Sequence, residues 1–503
     1  MKTCLTESTK ISRRSFLQAL GALTLSGSLA ACGGTGKAKS DRLAAGSLAY
    51  TPDEVVTVEF SDGGITVSPE DAAGLAVEGT ALSVSGAGVY ALSGRCADGS
   101  VKVEAQTEDV VLLLDGLTLT SADTAPIVCG ESTGVTIAVV DGTENTLTDS
   151  EANDPDNAAD NENAEKAVVK CKDGSQVVLC GGGALTVNAL GKNGIKSGTA
   201  LDDRDASLTI RELTLNIEAL VNDAINAEQR LKVESGNLTI AAGEDAIHCD
   251  MELHIGAEGT TGPAITVSTC GEGLEGAVLN IYSGNMDITS TDDCLNAANS
   301  DLGDYAFEIN ISGGTIKAYS SEGDGFDSNG TLTITGGDIS VWTANAADNQ
   351  PLDADGRITI SGGTVLAAGG SAGMGFSISA SQPCVTFGGG RDSSLSLAGG
   401  EAFSIADESG KSVLDSTALC DAAFLFYSSP ALTAEGRYSV QPTVTATAKT
   451  GEADTRFGGN GGPGGSGGQR PDGMTPPDGQ LPQGQPPQSD GTTPPELPAA
   501  SSN

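Results

Sequence analysis

One short phrase recurs through residues 192–355 and constrains the fold more than any other feature of the chain. Each copy has an acid or amide, a small residue, an apolar residue and a polar residue. The copies are Asn193–Lys196, Asp223–Asn226, Asp245–His248, Glu272–Glu275, Asp293–Asn296, Asp324–Asp327 and, less regularly, Gln350–Asp353. Their apolar members stand 30, 22, 27, 21, 31 and 26 residues apart. Self-similarity with a period in the twenties predicts a repeat architecture.

The residues between the copies indicate strands and turns. Gly-Gly turn phrases occur at 312–316, 335–339 and 361–365, next to alternating β-formers such as 331–334. No helical periodicity accompanies them, so the pattern predicts an all-β solenoid in which one repeat is one coil. Successive coils would stack as parallel strands about 4.8 Å apart, so that equivalent residues form columns.

Composition limits the partners that such a surface can have. The chain of 503 residues carries a formal net charge of -41, and aromatic residues make up only 4% of it. A surface this acidic repels nucleic acid and anionic membranes, so we expect cations, or ligands bridged by cations. With 1 Trp and 7 Tyr, aromatic platforms for neutral sugars are scarce, which favours acidic glycans. We expect a monomer.

The first 32 residues form a targeting segment that is not part of the fold. Arg13 and Arg14 lie in a twin-arginine export motif, and Leu29–Cys32 matches a bacterial lipobox. Cys32 would be lipidated and become the mature N-terminus, which predicts an extracytoplasmic lipoprotein held at the cell surface by its lipid alone. Residues 33–52 are small and polar and predict a flexible tether.

The remaining chain divides into three parts. Residues 53–380 carry the strand pattern and predict the solenoid. Residues 381–448 predict a C-terminal β cap, because an uncapped last coil would expose open strand edges. Residues 449–503 are rich in Gly and then Pro, and predict a disordered tail. The 11 cysteines contain no CxxC pair and are either buried thiols or, in part, disulfides.

Several phrases together resemble a known bacterial surface family. They are the run 111–119, the phrase 141–149, the repeated copies above and the Gly-Gly turns. In this order they are similar to the carbohydrate-binding domain-containing proteins. The resemblance implies a right-handed parallel β-helix that binds calcium and acidic polysaccharide such as polygalacturonate.

The polar columns supply the oxygen ligands that calcium prefers. Candidate metal ligands are Asp223, Asp245, Glu272, Asp292, Asp293, Asp324, Asp327, Asp353 and Asp355. Candidate ligand-binding residues are Asn226, Glu275, Asn296 and Lys196. Strict strand alternation would place the first and fourth residues of a copy on opposite faces, so a shared site requires a bend at the small residue.

Three interpretations remain open from the sequence. Asp, Asn and Gly also make good turns, so individual acids need not bind an ion. A polysaccharide lyase would pair calcium with a basic residue such as Lys192, Lys196, Arg204, Arg230, Lys317 or Arg357, but none lies in a lyase motif. A structural stalk or adhesin is the third possibility. The sequence favours a binding protein without catalytic residues.

Overall fold

The computed structural model describes residues 43–302, 305–344, 349–370, 377–389 and 395–454. Within these residues the chain is all-β, with two short 3-10 helices at Pro52–Glu54 and Glu151–Asn153. The targeting segment, including Cys32, and most of the predicted tail lie outside the described residues. In the part of the chain that the structure describes, there is no helix of the length and apolarity that crossing a bilayer requires.

The strands are short and follow one another closely. The N-terminal strands are β1 (Leu43–Ala45), β2 (Leu48–Tyr50), β3 (Val55–Ser61), β4 (Gly64–Ser68), β5 (Leu75–Glu78), β6 (Ala81–Val84), β7 (Gly88–Cys96), β8 (Ser100–Val103), β9 (Val110–Thr120), β10 (Ile127–Cys129), β11 (Gly134–Val139) and β12 (Glu144–Thr148). The central strands are β13 (Ala167–Cys171), β14 (Gln176–Gly181), β15 (Ala184–Asn188), β16 (Asn193–Ser197), β17 (Ser207–Arg211), β18 (Thr214–Ala219), β19 (Ile225–Ala227), β20 (Arg230–Val233), β21 (Asn237–Ala242), β22 (Ile247–Ile255), β23 (Ala264–Thr269), β24 (Leu274–Ile281), β25 (Asn285–Ser290), β26 (Leu295–Ala297), β27 (Glu308–Ile311), β28 (Thr315–Ser320), β29 (Phe326–Ser328), β30 (Thr331–Ile334) and β31 (Asp338–Thr343). The C-terminal strands are β32 (Ile358–Ile360), β33 (Thr364–Gly369), β34 (Ser377–Gly388), β35 (Ala402–Asp407), β36 (Ser412–Thr417), β37 (Phe424–Ser428), β38 (Arg437–Gln441), β39 (Val444–Thr447) and β40 (Lys449–Asp454).

Most strands pair in parallel with the strand one repeat later, which produces three long ladders. Ladder A runs through β3, β7, β9, β11, β14, β17, β20, β22, β24, β27, β30, β32 and β34. Ladder B runs through β7, β9, β12, β15, β18, β21, β23, β25, β28, β31 and β33. Ladder C runs through β6, β8, β10, β13, β16, β19, β22, β24, β26 and β29. Each coil therefore supplies one segment to each ladder.

Apolar side chains from all three ladders belong to one buried cluster. Leu208 of ladder A, Leu215 of ladder B and Ile225 of ladder C are typical members and are at most 1% exposed. Burying a residue of this size contributes about 1.5–3 kcal/mol, but only because the coils above and below complete the enclosure. The stacked repeat is thus the folding unit, as the period predicts.

The last coils are covered by antiparallel strands. β37 pairs with β33 and β34, and β40 pairs with β34, so these edges are not left open. A separate four-stranded sheet in the order β36-β35-β38-β39 shares a second apolar cluster with Trp342 and Phe387. Composition predicts a disordered tail from residue 449 onward, but residues 449–454 form β40 because they pair with the free edge of β34.

The N-terminal boundary also differs from the one expected. Composition predicts that residues 43–50 belong to the tether, yet they form the β1–β2 hairpin. Leu43, Ala45 and Leu48 pack with Leu113 and Cys180 of ladder A, outside the main core. The backbone N–H of Ser47 donates to the Glu212 carboxylate at 2.8 Å. Apolar burial on a neighbouring ladder thus orders a segment that composition alone marks as a tether.

The cysteines of the described residues are free thiols. All are buried except Cys420, which is partly exposed. Cys129 and Cys171 are register partners on β10 and β13. Most of these thiols act as small apolar side chains in the core that the ladders share, whereas Cys180 and Cys420 pack in the two smaller clusters.

Candidate functional site

The apolar members of the repeated phrase stack in register along ladder C, as the sequence predicts. Cα pairing joins Ile195 to Ile225, Ile225 to Ile247, Ile247 to Leu274, Leu274 to Leu295 and Leu295 to Phe326. An isolated parallel bridge adds Leu352. All seven side chains are 0% exposed. The same pairing places the fourth residues of the copies in one polar column.

The chain bends at the small second residue, and this brings the first and fourth side chains together. The Asn226 amide donates to Asp223 Oδ2 at 2.6 Å, three residues back. Likewise, His248 Nδ1 lies 3.0 Å from Asp245 Oδ2. The two columns predicted from the sequence therefore form one polar surface, which we call the acidic column.

The second residue is small because neighbouring coils approach closely there. A Cβ on Gly325 would lie 2.4 Å from the Pro351 carbonyl oxygen and 2.3 Å from a Val341 methyl group. Ala246 occupies the equivalent place in its own copy and is fully buried. The bend itself therefore does not need glycine. What Gly325 supplies is space.

Three first-position carboxylates, those of Asp223, Asp293 and Asp324, each hold the next coil through one oxygen. Asp223 Oδ1 accepts from the backbone N–H of Asp245 at 3.2 Å, and Asp293 Oδ1 accepts from that of Asp324 at 2.6 Å. Asp324 Oδ1 accepts from Gln350 N–H at 2.6 Å. One oxygen of each of these three carboxylates is thus structural.

Burial and mutual repulsion make these carboxylates reluctant to ionise. Burial, and then the charge of Glu275, raise the pKa of Glu272 to about 8. Burial with the charge of Asp324 raises the pKa of Asp293 to about 8. The pKa of Asp324 rises to about 7 and that of Asp327 to about 6, in each case through burial and then the neighbouring Asp353. Near neutral pH the column therefore gains by holding a proton or a cation.

One cluster on the acidic column is made entirely of oxygen donors. Carboxylate oxygens of Asp324, Asp327 and Asp353 lie within 4.8 Å of one another. Asp292 and Asp355 lie at the exposed rim, and their charges contribute to the raised pKa of Asp327. These five predicted metal residues are brought together by the structure.

Among the described residues, two buried amide oxygens on the same column have no hydrogen-bond partner. They are Asn296 Oδ1 and Gln350 Oε1, and the two residues are 8% and 2% exposed. Asn296 is the register partner of Asp327, and Gln350 donates its N–H to Asp324. An unpaired buried amide oxygen costs about 1–3 kcal/mol, which a bound cation would remove. The donor set therefore fits a hard cation such as calcium.

The other predicted residues lie farther along the same column. Asp223 pairs with Asn226, and Glu272 accepts from the Asn296 amide at 2.9 Å. Asp245 and Glu275 form a second group with His248, again within 4.8 Å. Lys196 lies at the opposite end, where its ammonium donates to Asn226 at 2.8 Å and pairs with Glu228 at 3.2 Å.

Sequence reasoning gave no role to His248, Asp250 or Gln350. The His248 ring contacts three carboxylates, with Nδ1 at 2.5 Å from Glu275 and Nε2 at 2.8 Å from Asp250. Although burial opposes it, hydrogen bonding to these carboxylates and to Asp245 raises the pKa of His248 to about 12. His248 is the fourth residue of its copy of the repeated phrase, and this position is the sequence signal that identifies it as part of the acidic column.

A surface depression in the C-terminal sheet is a weaker candidate. Its volume is about 420 Å³, and its lining includes Phe403, Ser404 and Asp415. Ser404 and Ser412 donate to the Asp415 carboxylate and lower its pKa. The Asp415 carboxylate already has its hydrogen bonds, whereas the acidic column contains amide oxygens without a partner among the described residues and carboxylates with raised pKa values.

Parallel ladders around a shared core, with one polar column along ladder C, define an all-β repeat protein with an extended surface site. The chain belongs to the family of carbohydrate-binding domain-containing proteins, whose match spans residues 78–373. This match covers ladder C and the whole acidic column. The family expected from the repeated phrases is thereby confirmed.

Two similar proteins are known from Acetivibrio thermocellus and C. thermocellum. A carbohydrate-binding domain-containing protein of Acetivibrio thermocellus is 29% identical over 184 residues, which is 36% of this chain and 60% of that protein. The chain therefore spans about 60% of that relative's length. A solved polysaccharide lyase-like protein from C. thermocellum, a gadolinium derivative, is 22% identical. The match covers 61% of this chain and 96% of that one, with a TM-score of 0.33.

Proposed function

We propose that the protein binds acidic polysaccharide of the polygalacturonate type through calcium held on the acidic column. In this proposal the three ladders wind as a right-handed parallel β-helix. The chain is exported by the twin-arginine signal and displayed at the cell surface by a lipid on Cys32. Membership of a carbohydrate-binding family supports a polysaccharide partner.

The observation that carries the proposal is the Asp324, Asp327 and Asp353 cluster beside unpaired amide oxygens. Calcium takes six to eight oxygen ligands, and one oxygen of Asp324 is already committed to the Gln350 N–H. The protein therefore leaves coordination positions free. A sugar carboxylate can complete them, and a bound divalent ion reverses the repulsion between an anionic protein and an anionic glycan.

The six basic residues singled out in the sequence support binding over elimination. A lyase needs an unencumbered base next to the calcium-bound uronate. The candidate bases are all engaged with carboxylates: Lys192 with Asp156, Lys196 with Glu228, Arg204 with Glu108, Arg230 with Glu252, Lys317 with Asp287 and Arg357 with Glu452.

The proposal is tested by affinity electrophoresis on polygalacturonate gels. The parent should be retarded with calcium and migrate freely with chelator. Asp324→Asn combined with Asp327→Asn nearly preserves shape but removes two ligand charges, so retardation should be lost. Asp287→Asn is the matched control, because Asp287 lies exposed on ladder B, away from the acidic column, and pairs with Lys317.

Two results would contradict calcium-dependent binding. One is equal retardation of the parent in chelator, and the other is equal retardation of the double variant in calcium. Release of unsaturated sugars absorbing in the near ultraviolet would instead support a lyase. Absence of both retardation and product would favour a structural stalk.

A further inference from the structure

His248 interrupts the acidic column with a nitrogen donor. Its register partners on either side are Asn226 and Glu275, so an imidazole stands where the two neighbouring coils carry an amide and a carboxylate. Nδ1 faces two carboxylates, at 3.0 Å from Asp245 Oδ2 and 2.5 Å from Glu275 Oε2. The three donor atoms all lie within 4.8 Å of one another.

The far side of the imidazole is held by another carboxylate. Nε2 lies 2.8 Å from Asp250 Oδ1, two residues along the chain. Metal-binding histidines characteristically donate their second ring N–H to such a group, which fixes the ring and raises the basicity of the ligating nitrogen. Asp250 is therefore placed as an outer-shell partner and leaves Nδ1 free to coordinate.

We propose that Asp245, His248 and Glu275 form a site for a divalent transition metal of the zinc class, separate from the calcium cluster. Imidazole suits Zn²⁺ and related ions, whereas calcium selects oxygen donors. One histidine and two carboxylates provide three ligands. The fourth position of a tetrahedral ion remains for water or an external ligand.

The geometry requires a small adjustment at Glu275. Bonds of about 2.0–2.1 Å in a tetrahedron separate neighbouring donors by roughly 3.3 Å. The 3.0 Å contact between His248 and Asp245 is close to this value. The 2.5 Å contact to Glu275 must widen, and Glu275, with its side chain 17% exposed, has a flexible stem that can retreat toward solvent. The competing occupant is a proton, which would make His248 an imidazolium bridging the same carboxylates.

A metal ion and a proton at this site are distinguished by titrating the mature chain with Zn²⁺ in excess calcium and measuring the heat of binding by calorimetry. Metal binding predicts one tight equivalent of Zn²⁺. A visible absorption band of tetrahedral Co²⁺ should report the same site. His248→Asn should abolish this equivalent, and the change is structurally mild because Asn226 and Asn296 occupy the same column. Asp250→Asn should weaken binding about 10–100-fold.

The second histidine offers a matched control. His254 stacks on Tyr282 with ring centroids 6.1 Å apart and is not part of this donor group, so His254→Asn should keep full Zn²⁺ affinity. The proposal is overturned if the parent binds no tight equivalent of Zn²⁺ in excess calcium. It is also overturned if the His248→Asn variant still binds that equivalent. The Asp324→Asn, Asp327→Asn double variant should still bind Zn²⁺, which separates failure here from failure of the calcium proposal.

Discussion

Calcium should stabilise the fold, because it offsets repulsion between carboxylates that the fold itself brings together. Oxygens of Asp324, Asp327 and Asp353 lie within 4.8 Å of one another. At that distance two unit charges repel by about 3.5 kcal/mol at an effective dielectric of 20, and by about 0.9 kcal/mol in bulk water. The side chains are only partly exposed, so each ionised pair lies between these limits.

The expected size of the effect follows from linkage. An ion that binds only the native state at a hundred times its dissociation constant adds about 2.7 kcal/mol to the free energy of unfolding. Unfolding entropy is about 2.1 cal/mol/K per residue, or about 0.8 kcal/mol/K for the roughly 400 described residues. The midpoint of thermal unfolding should therefore rise by about 3 °C for each occupied site.

Differential scanning calorimetry in 1 mM calcium and in chelator measures this shift. The double variant Asp324→Asn, Asp327→Asn should lose the part of the calcium-induced rise in the unfolding midpoint that comes from the Asp324, Asp327 and Asp353 cluster. In chelator the same variant should unfold no earlier than the parent, because the substitutions also remove repulsion. Asp287→Asn should respond like the parent. Equal midpoints of the parent with calcium and with chelator would refute the reasoning.

Two further predictions concern packing and anchoring. Gly325→Ala should cost about 1–3 kcal/mol, since the new methyl group overlaps the Pro351 carbonyl, whereas Ala246→Gly at the equivalent position should cost about 1 kcal/mol. Urea unfolding measures both, and a neutral Gly325→Ala would show that the coils can separate there. Cys32→Ala should leave the protein unprocessed or released from the membrane fraction, and unchanged fractionation and migration would refute lipidation.

The buried part of the repeat could be predicted because its register leaves little choice. Sliding ladder C by one residue would turn Ile225 and Ile247 outward and bring Asn226 and His248 into the core. The apolar column is therefore readable from the period alone. The hairpin at 43–50 is not predictable from its own composition, because its apolar side chains pack on ladder A residues that range from Val55 to Cys180 along the chain.

The site was less predictable, because it depends on a bend and on side-chain reach. Acids recur in most copies of the repeated phrase, so the sequence alone does not distinguish which of them bind a metal ion. The structure separates them: Asp324 and Asp327 meet Asp353, while Asp245 and Glu275 meet a histidine. Position in the column decides which donors meet, and residue type then decides which ion they suit. A column of equivalent positions can therefore hold different ions in different coils, since a single His or Asn substitution changes the donor set without disturbing the apolar residue beside it.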